Sequence, residues 1–305
     1  MRVRIAGIEI ISDKLKRIKE MNLQPKILVL MTSILLWLPG LTLAQEKTYI
    51  GSEQCMACHD EVYSYYKESA HYKTDLDEKA PAELKGCEAC HGPGSEHMED
   101  PEKALFKFPG KSAKSRSEIC LKCHKKEAER FTFRKSEHRL GAIACDDCHL
   151  PPHNAPAKEY MLRETAPNLC YNCHREIMAE FALPEHHKVP EGVINCTDCH
   201  TPHGSPNYRM LKKEADEVCF KCHTDKRGPW IYEHLSLYVE GCLVCHKPHG
   251  SNSRHLLTYQ EVRMLCLSCH PDAPAFHNQR NARFQTCTVC HMNIHGSNVS
   301  KILLE

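Results

Sequence analysis

Apolar and polar positions divide this chain at about residue 44. Residues 27–39, Ile-Leu-Val-Leu-Met-Thr-Ser-Ile-Leu-Leu-Trp-Leu-Pro, form an apolar run of 13. Lys26 precedes the run, and Thr42-Leu43-Ala44 follows it with small residues suited to a cleavage site. This is a signal-peptide pattern, and the run is shorter than the ~20 residues a membrane helix needs. Residues 1–44 are therefore expected to be removed, leaving 45–305; Met21 is an alternative start. An uncleaved anchor is the weaker reading on run length, and no Cys stands at the cut to take a lipid.

Beyond residue 44 no long apolar run recurs, and the mean hydropathy of the whole chain is −0.51. No alternating strand pattern stands out. Short helices are expected at 117–130, 168–181 and 213–224, with Pro and Gly breaking up the rest. A chain this polar has too little apolar surface to bury a core of its own. Something other than polypeptide has to supply the interior.

Charge narrows the partners. The net charge of +1 includes seven Lys/Arg and three Asp/Glu in residues 1–44; without them 33 basic and 36 acidic residues remain. An acidic mature chain argues against nucleic-acid binding.

Cysteine decides the class. All 20 cysteines lie in Cys-x-x-Cys-His motifs, ten in number. The pairs are Cys55/Cys58, Cys87/Cys90, Cys120/Cys123, Cys145/Cys148, Cys170/Cys173, Cys196/Cys199, Cys219/Cys222, Cys242/Cys245, Cys266/Cys269 and Cys287/Cys290. The histidines that follow are His59, His91, His124, His149, His174, His200, His223, His246, His270 and His291. Two thiols at this spacing add to the two vinyl groups of one haem, and the adjacent imidazole reaches its iron. Cys-x-x-Cys-His is thus the attachment signature of c-type haem. Zinc knuckles, redox dithiols and disulfides would not require a His after every second Cys. The expected cofactors are ten covalently attached c-type haems, which would form the missing interior.

Twelve histidines remain outside the motifs, and ten are regularly placed. His97, His153, His203, His249 and His295 follow the even-numbered motifs within three to six residues. Two of these stand in Cys-His-x-Pro-His-Gly, at 199–204 and 245–250. His71, His138, His186, His234 and His277 lie between an odd motif and the next even one. His186 is preferred over His187 because Glu137-His138, Glu185-His186 and Glu233-His234 match; His187 and His255 are then surplus. These ten are the candidate distal ligands. Two imidazoles per iron would give lower potentials than Met/His ligation and leave no open position for a substrate. No catalytic residue is assigned.

The pattern repeats every two motifs, giving five units at 51–97, 117–153, 167–203, 216–249 and 263–295. An insertion at Met98–Arg116 carries Leu-Phe-Lys-Phe-Pro-Gly; it is read as a surface loop, with a partner contact as the alternative. The fold class expected is a multihaem cytochrome c. It would consist mostly of short α-helices and loops wrapped around an elongated row of stacked haems, with little or no β-sheet.

Ten such motifs in one small secreted chain, with Cys-His-x-Pro-His-Gly repeated, resemble the decahaem cytochromes of the MtrA/DmsE/PioA family. The resemblance spans most of residues 51–295. It implies a bis-His electron wire on the periplasmic side of an outer membrane, held in a porin-like β-barrel protein. It also implies a periplasmic or inner-membrane cytochrome donor and an extracellular multihaem cytochrome or reductase beyond. The function expected is electron transfer, carried across the outer membrane by the barrel-held chain. A soluble periplasmic shuttle is the alternative. A multihaem reductase is disfavoured, because enough histidines are present to close every iron.

Overall fold

The computed structural model describes residues 46–103, 105–124, 132–154, 159–274, 277 and 280–304. The chain divides between Lys47 and Thr48, and the fold is that of Thr48–Glu305. The cleavable segment expected at 1–44 lies outside the described residues.

The motif itself dictates the local structure. In the nine motifs that are not wholly inside a helix the His amide donates to the carbonyl of the first Cys, as from His59 to Cys55 at 2.9 Å and from His246 to Cys242 at 3.0 Å; the tenth, Cys87 to His91, lies within the helix Gly86–His91. That i to i−4 bond closes one helical turn, which puts the two thiols on one face, three residues apart. Odd motifs sit at the ends of short helices, among them Ser52–Met56, Ala113–Leu121, Ala215–Cys219 and Val262–Leu267. Even motifs are little more than the turn itself, as in Cys145–Cys148, Cys196–Cys199 and Cys242–Val244.

The helices expected from sequence are shorter than their patterns. The one expected at 117–130 starts at Ala113 and ends at Leu121; its stretch 125–130 lies outside the described residues. The one expected at 168–181 is two, Asn168–Tyr171 and Arg175–Phe181, interrupted where His174 leaves helical backbone at φ −93°, ψ 62°. The one expected at 213–224 is reduced to Ala215–Cys219. In each case the haem-attachment turn limits the helix, because the His must leave the axis to face a neighbour.

The even turns are capped. The Ala144 amide donates to Asp147 and the Asn195 amide to Asp198, each at 2.8 Å. Others are capped by the odd helix of the same two-motif stretch. The Cys87 amide donates to Ser52 Oγ at 3.1 Å, and the Cys242 amide to Asp216 Oδ1 at 2.9 Å. Ser52 and Asp216 each stand three residues before the first Cys of an odd motif. Arg116 adds an ion pair from its helix to Asp146 and Asp147 at 2.5 and 3.0 Å.

Strand pairing is slight: isolated antiparallel bridges tie His149, His200 and His246 to Leu162, Leu211 and Leu257 just after them, and a short sheet joins two stretches. β1 (Glu185–His186) pairs antiparallel with β2 (Gly250–Ser251), with Glu185 opposite Ser251 and His186 opposite Gly250. Tyr232 and Ser297 form the same kind of bridge further on.

The polypeptide core is thin. Among the described residues the buried apolar side chains are Tyr66, Leu121, Phe133, Ala144, Phe181 and Val189. Most apolar side chains instead line one continuous cavity of about 5310 Å³, bordered by all 20 cysteines and all ten motif histidines. Shared among ten motifs this is about 530 Å³ each, within the ~300–1,000 Å³ of a site that holds one sizeable ligand.

Candidate haem-ligation sites

Cysteine contacts set the order of the motifs in space. The first cysteines of odd and following even motifs are close neighbours: Cys55 with Cys87, Cys120 with Cys145, Cys170 with Cys196, Cys219 with Cys242, and Cys266 with Cys287. The second cysteines make the alternate contacts: Cys90 lies near Cys123, Cys148 near Cys173, Cys199 near Cys222, and Cys245 near Cys269. Each motif therefore neighbours the ones before and after it in sequence.

Every motif histidine faces one other imidazole. A metal–imidazole bond is about 2 Å and each ring centre lies about 1.1 Å behind its nitrogen, so two rings sharing one ion stand about 6.2 Å apart. The observed separations run from 6.0 to 6.3 Å in all ten cases. His59 faces His97, His91 faces His153, and His124 faces His71. His149 faces His203, His174 faces His138, and His200 faces His249. His223 faces His187, His246 faces His295, His270 faces His234, and His291 faces His277. Two imidazoles with an attachment turn at one side are the donor set of haem iron held on both faces.

The partners obey a rule that spacing does not reveal. His71, His138, His187 and His234 each face the odd motif of the next two-motif stretch. His153, His203, His249 and His295 each face the even motif of the preceding one. Neighbouring stretches are thus joined twice, reciprocally. The leftover His97 and His277 close the two end sites.

One expected residue is displaced. His187, not His186, faces His223, at 6.2 Å. Successive side chains of an extended segment point to opposite sides, so only one of the two can do so. His186 is engaged elsewhere, with Nδ1 on the Leu183 carbonyl at 2.6 Å and Nε2 on Glu191 at 3.1 Å.

The repeated Pro-His-Gly now has a physical reading. His138 Nδ1–H donates to the Pro202 carbonyl at 2.9 Å, and His187 Nδ1–H to that of Pro248 at 2.5 Å. The following His203 and His249 face His149 and His200 of the previous stretch. The glycine then permits close approach. A Cβ on Gly250 would stand 1.9 Å from the Glu180 carbonyl oxygen, and one on Gly204 would stand 2.8 Å from Ser136 Cβ. After His295, a Cβ on Gly296 would meet the Trp230 ring at 2.2 Å.

A further set of residues carries no obvious mark in the sequence. All five even-motif histidines donate Nδ1–H to a later backbone carbonyl: His91 to Phe106, His149 to Tyr160, His200 to Arg209, His246 to His255 and His291 to Ile302, at 2.6–3.0 Å. Such a bond fixes the tautomer and aims Nε2 at the facing ring. Three of these carbonyls come from paired left-handed residues: Tyr160 and Met161 (φ 52° and 54°), Arg209 and Met210 (both 53°), and His255 and Leu256 (60° and 58°). Left-handed backbone at a side-chain-bearing residue is costly and persists where surrounding contacts hold it. The surplus His255 thus contributes through its carbonyl. The insertion at Met98–Arg116 is likewise built in: the Lys103 carbonyl accepts from His97 at 2.9 Å, Phe106 accepts from His91, and Phe108 meets the His91 ring edge-on.

Burial keeps several of these imidazoles neutral, with a lone pair available to metal. It pushes His71, His91, His200 and His234 below the usual histidine value, and His295 down to about 4.

The family model for the doubled CXXCH motif matches residues 138–179, 186–228 and 234–275. Each matched segment contains one of the ring pairs: His138 with His174, His187 with His223, and His234 with His270. The chain is also similar to the multiheme cytochrome MtrA of Shewanella baltica (strain OS185). The two are 32% identical over 271 residues, which covers 81% of this chain and 79% of that protein.

Proposed function

Because the chain belongs to the MtrA family of multihaem cytochromes, with covalently attached c-type haem and electron transfer as its business, we propose that it holds ten haems. Each would be ligated by the two facing histidines described above. In this reading His187, not His186, serves the His223 site. Haem supplies one-electron exchange between ferric and ferrous iron. The protein holds each iron from both faces, keeps the imidazoles neutral and orders the sites along the chain. With both axial positions taken, binding of a substrate at iron is disfavoured, so the chain carries electrons rather than transforming a molecule.

The observation that carries this reading is the ring spacing: each motif histidine has one imidazole partner at the distance one iron spans. The test is twofold. Intact mass should equal the mature polypeptide plus ten haems. Electron paramagnetic resonance of the oxidised protein should be low-spin throughout. A stoichiometric high-spin ferric signal contradicts the two-histidine reading.

The finer setting is proposed on the family. Residues 1–44 act as a signal peptide, and 45–305 work on the periplasmic side of an outer membrane as an electron conduit inside a porin-like barrel. Among the described residues no helix is long and apolar enough to cross a membrane. Barrel strands need about 9–11 residues, whereas β1 and β2 have two each, so the barrel would be a separate protein. A periplasmic or inner-membrane cytochrome would feed one end, and an extracellular multihaem cytochrome or reductase would draw from the other. Co-purification with an outer-membrane barrel from native membranes supports the conduit; recovery solely as a free periplasmic protein favours a soluble shuttle.

A further inference from the structure

His249 differs from the histidines whose ring nitrogens donate to carbonyls. Its Nδ1 donates to Glu180 Oε2 at 3.0 Å. The acceptor is an anion rather than a neutral amide. By comparison, Glu176 approaches His174 Nδ1 only to 3.8 Å, beyond hydrogen-bonding distance.

The fold puts Glu180 there deliberately, in the sense that several features converge. It lies in the last turn of the helix Arg175–Phe181. Its carbonyl abuts Gly250, where a Cβ would be only 1.9 Å away. The antiparallel pairing of β1 with β2 fixes the same junction, with His186 opposite Gly250. The neighbouring Phe181 ring packs 5.4 Å from that of His249. The carboxylate is thus carried on the stretch that contains Cys170–His200, while the imidazole comes from the next stretch and faces His200 at 6.2 Å.

A carboxylate on the remote nitrogen of a ligating imidazole increases its basicity toward the metal. A more basic ligand stabilises ferric iron over ferrous. Hydrogen bonding around axial ligands is one of the levers by which a protein sets haem potential. On the opposite face His200 Nδ1–H donates to the Arg209 carbonyl at 3.0 Å, so both ligands are oriented and one is also polarised by a charge. We propose that Glu180 is a tuning residue that lowers the potential of the sixth haem, held by His200 and His249. The inference rests on the reading of that pair as iron ligands, and goes beyond it by assigning an electronic role to a residue outside the ligand set.

The test uses the full haem-loaded protein. Glu180→Gln keeps an acceptor oxygen but removes the charge. In a redox titration followed by electron paramagnetic resonance, about one-tenth of the low-spin intensity should move to a more positive midpoint, with spin state and haem content unchanged. Glu180→Ala should move the same fraction in the same direction. A titration curve that overlays wild type in both variants overturns the proposal. His249→Ala separates this from the underlying assignment. If it produces one high-spin haem while Glu180→Gln leaves the titration unmoved, the ligand reading stands and the tuning role falls. If it leaves all haems low-spin, the ligand assignment falls first, and the tuning role with it.

Discussion

His200 and His249 stand 6.2 Å apart, ring centre to ring centre, although 48 residues and two further attachment motifs separate them in the chain. On the proposed ligation, the third two-motif stretch would take one ligand from the fourth. A chain truncated after Gly204 retains six motifs, and five of their histidines keep the partner they face. His200 alone loses its partner. The expected product has six haems, one of them high-spin, measured by electron paramagnetic resonance against haem content. Six low-spin haems in that fragment would mean that the stretches are self-sufficient.

Adjacent histidines with different engagements give a sharper mutational test. His187→Ala removes the ring that faces His223 and should convert one haem in ten to high spin. His186→Ala removes a ring bound to Leu183 and Glu191 and should leave every haem low-spin. The reverse pattern would restore the assignment suggested by the repeated Glu-His. Resonance Raman spin-state bands would report either outcome independently of potential.

The attachment sites were legible because covalent chemistry fixes their spacing, whatever the surrounding fold. The thin polypeptide core was legible too, since too few apolar residues were available to make another. Which histidines pair was not. The facing rings cross between stretches, as from His71 to His124, and linear distance carries no sign of that exchange. Glu185-His186 drew attention by local likeness, but which side of an extended segment meets His223 is a tertiary matter. The left-handed residues whose carbonyls accept from the motif histidines were hidden for another reason. Tyr160 and Arg209 are not residues that favour positive φ, so the contacts around them impose it. A faint mark does exist in hindsight: apolar pairs Met161-Leu162, Met210-Leu211, Leu256-Leu257 and Leu303-Leu304 recur after successive even motifs.

Gly250 should tolerate no side chain. Its backbone φ is not the obstacle; the obstacle is the Glu180 carbonyl oxygen 1.9 Å from an added Cβ. Backbone cannot swing aside as a flexible side chain would, and it anchors the junction between the third and fourth stretches. Gly250→Ala is expected to cost about 1–3 kcal/mol, the range for forcing extra volume into a packed contact. The shift should be visible in the guanidinium midpoint of the haem-loaded protein. An unchanged midpoint would show that the two segments can separate freely.

Acid should weaken the fold over a defined window. Histidine in an unfolded chain titrates near 6.5, whereas burial lowers His71, His91, His200 and His234 and brings His295 to about 4. Above the unfolded value neither state takes up a proton, so stability is flat. As pH falls through about 6.5 the unfolded chain binds protons that the native rings refuse, and the equilibrium moves toward unfolding. On the proposed ligation, iron on the same nitrogens would push the native rings further in the same direction, extending the loss to lower pH rather than reversing it. Guanidinium midpoints measured at fixed ionic strength should be constant from pH 8 to 7 and fall steadily below about 6.5. Midpoints that stay level down to pH 5 would mean that these imidazoles are not kept neutral by the fold.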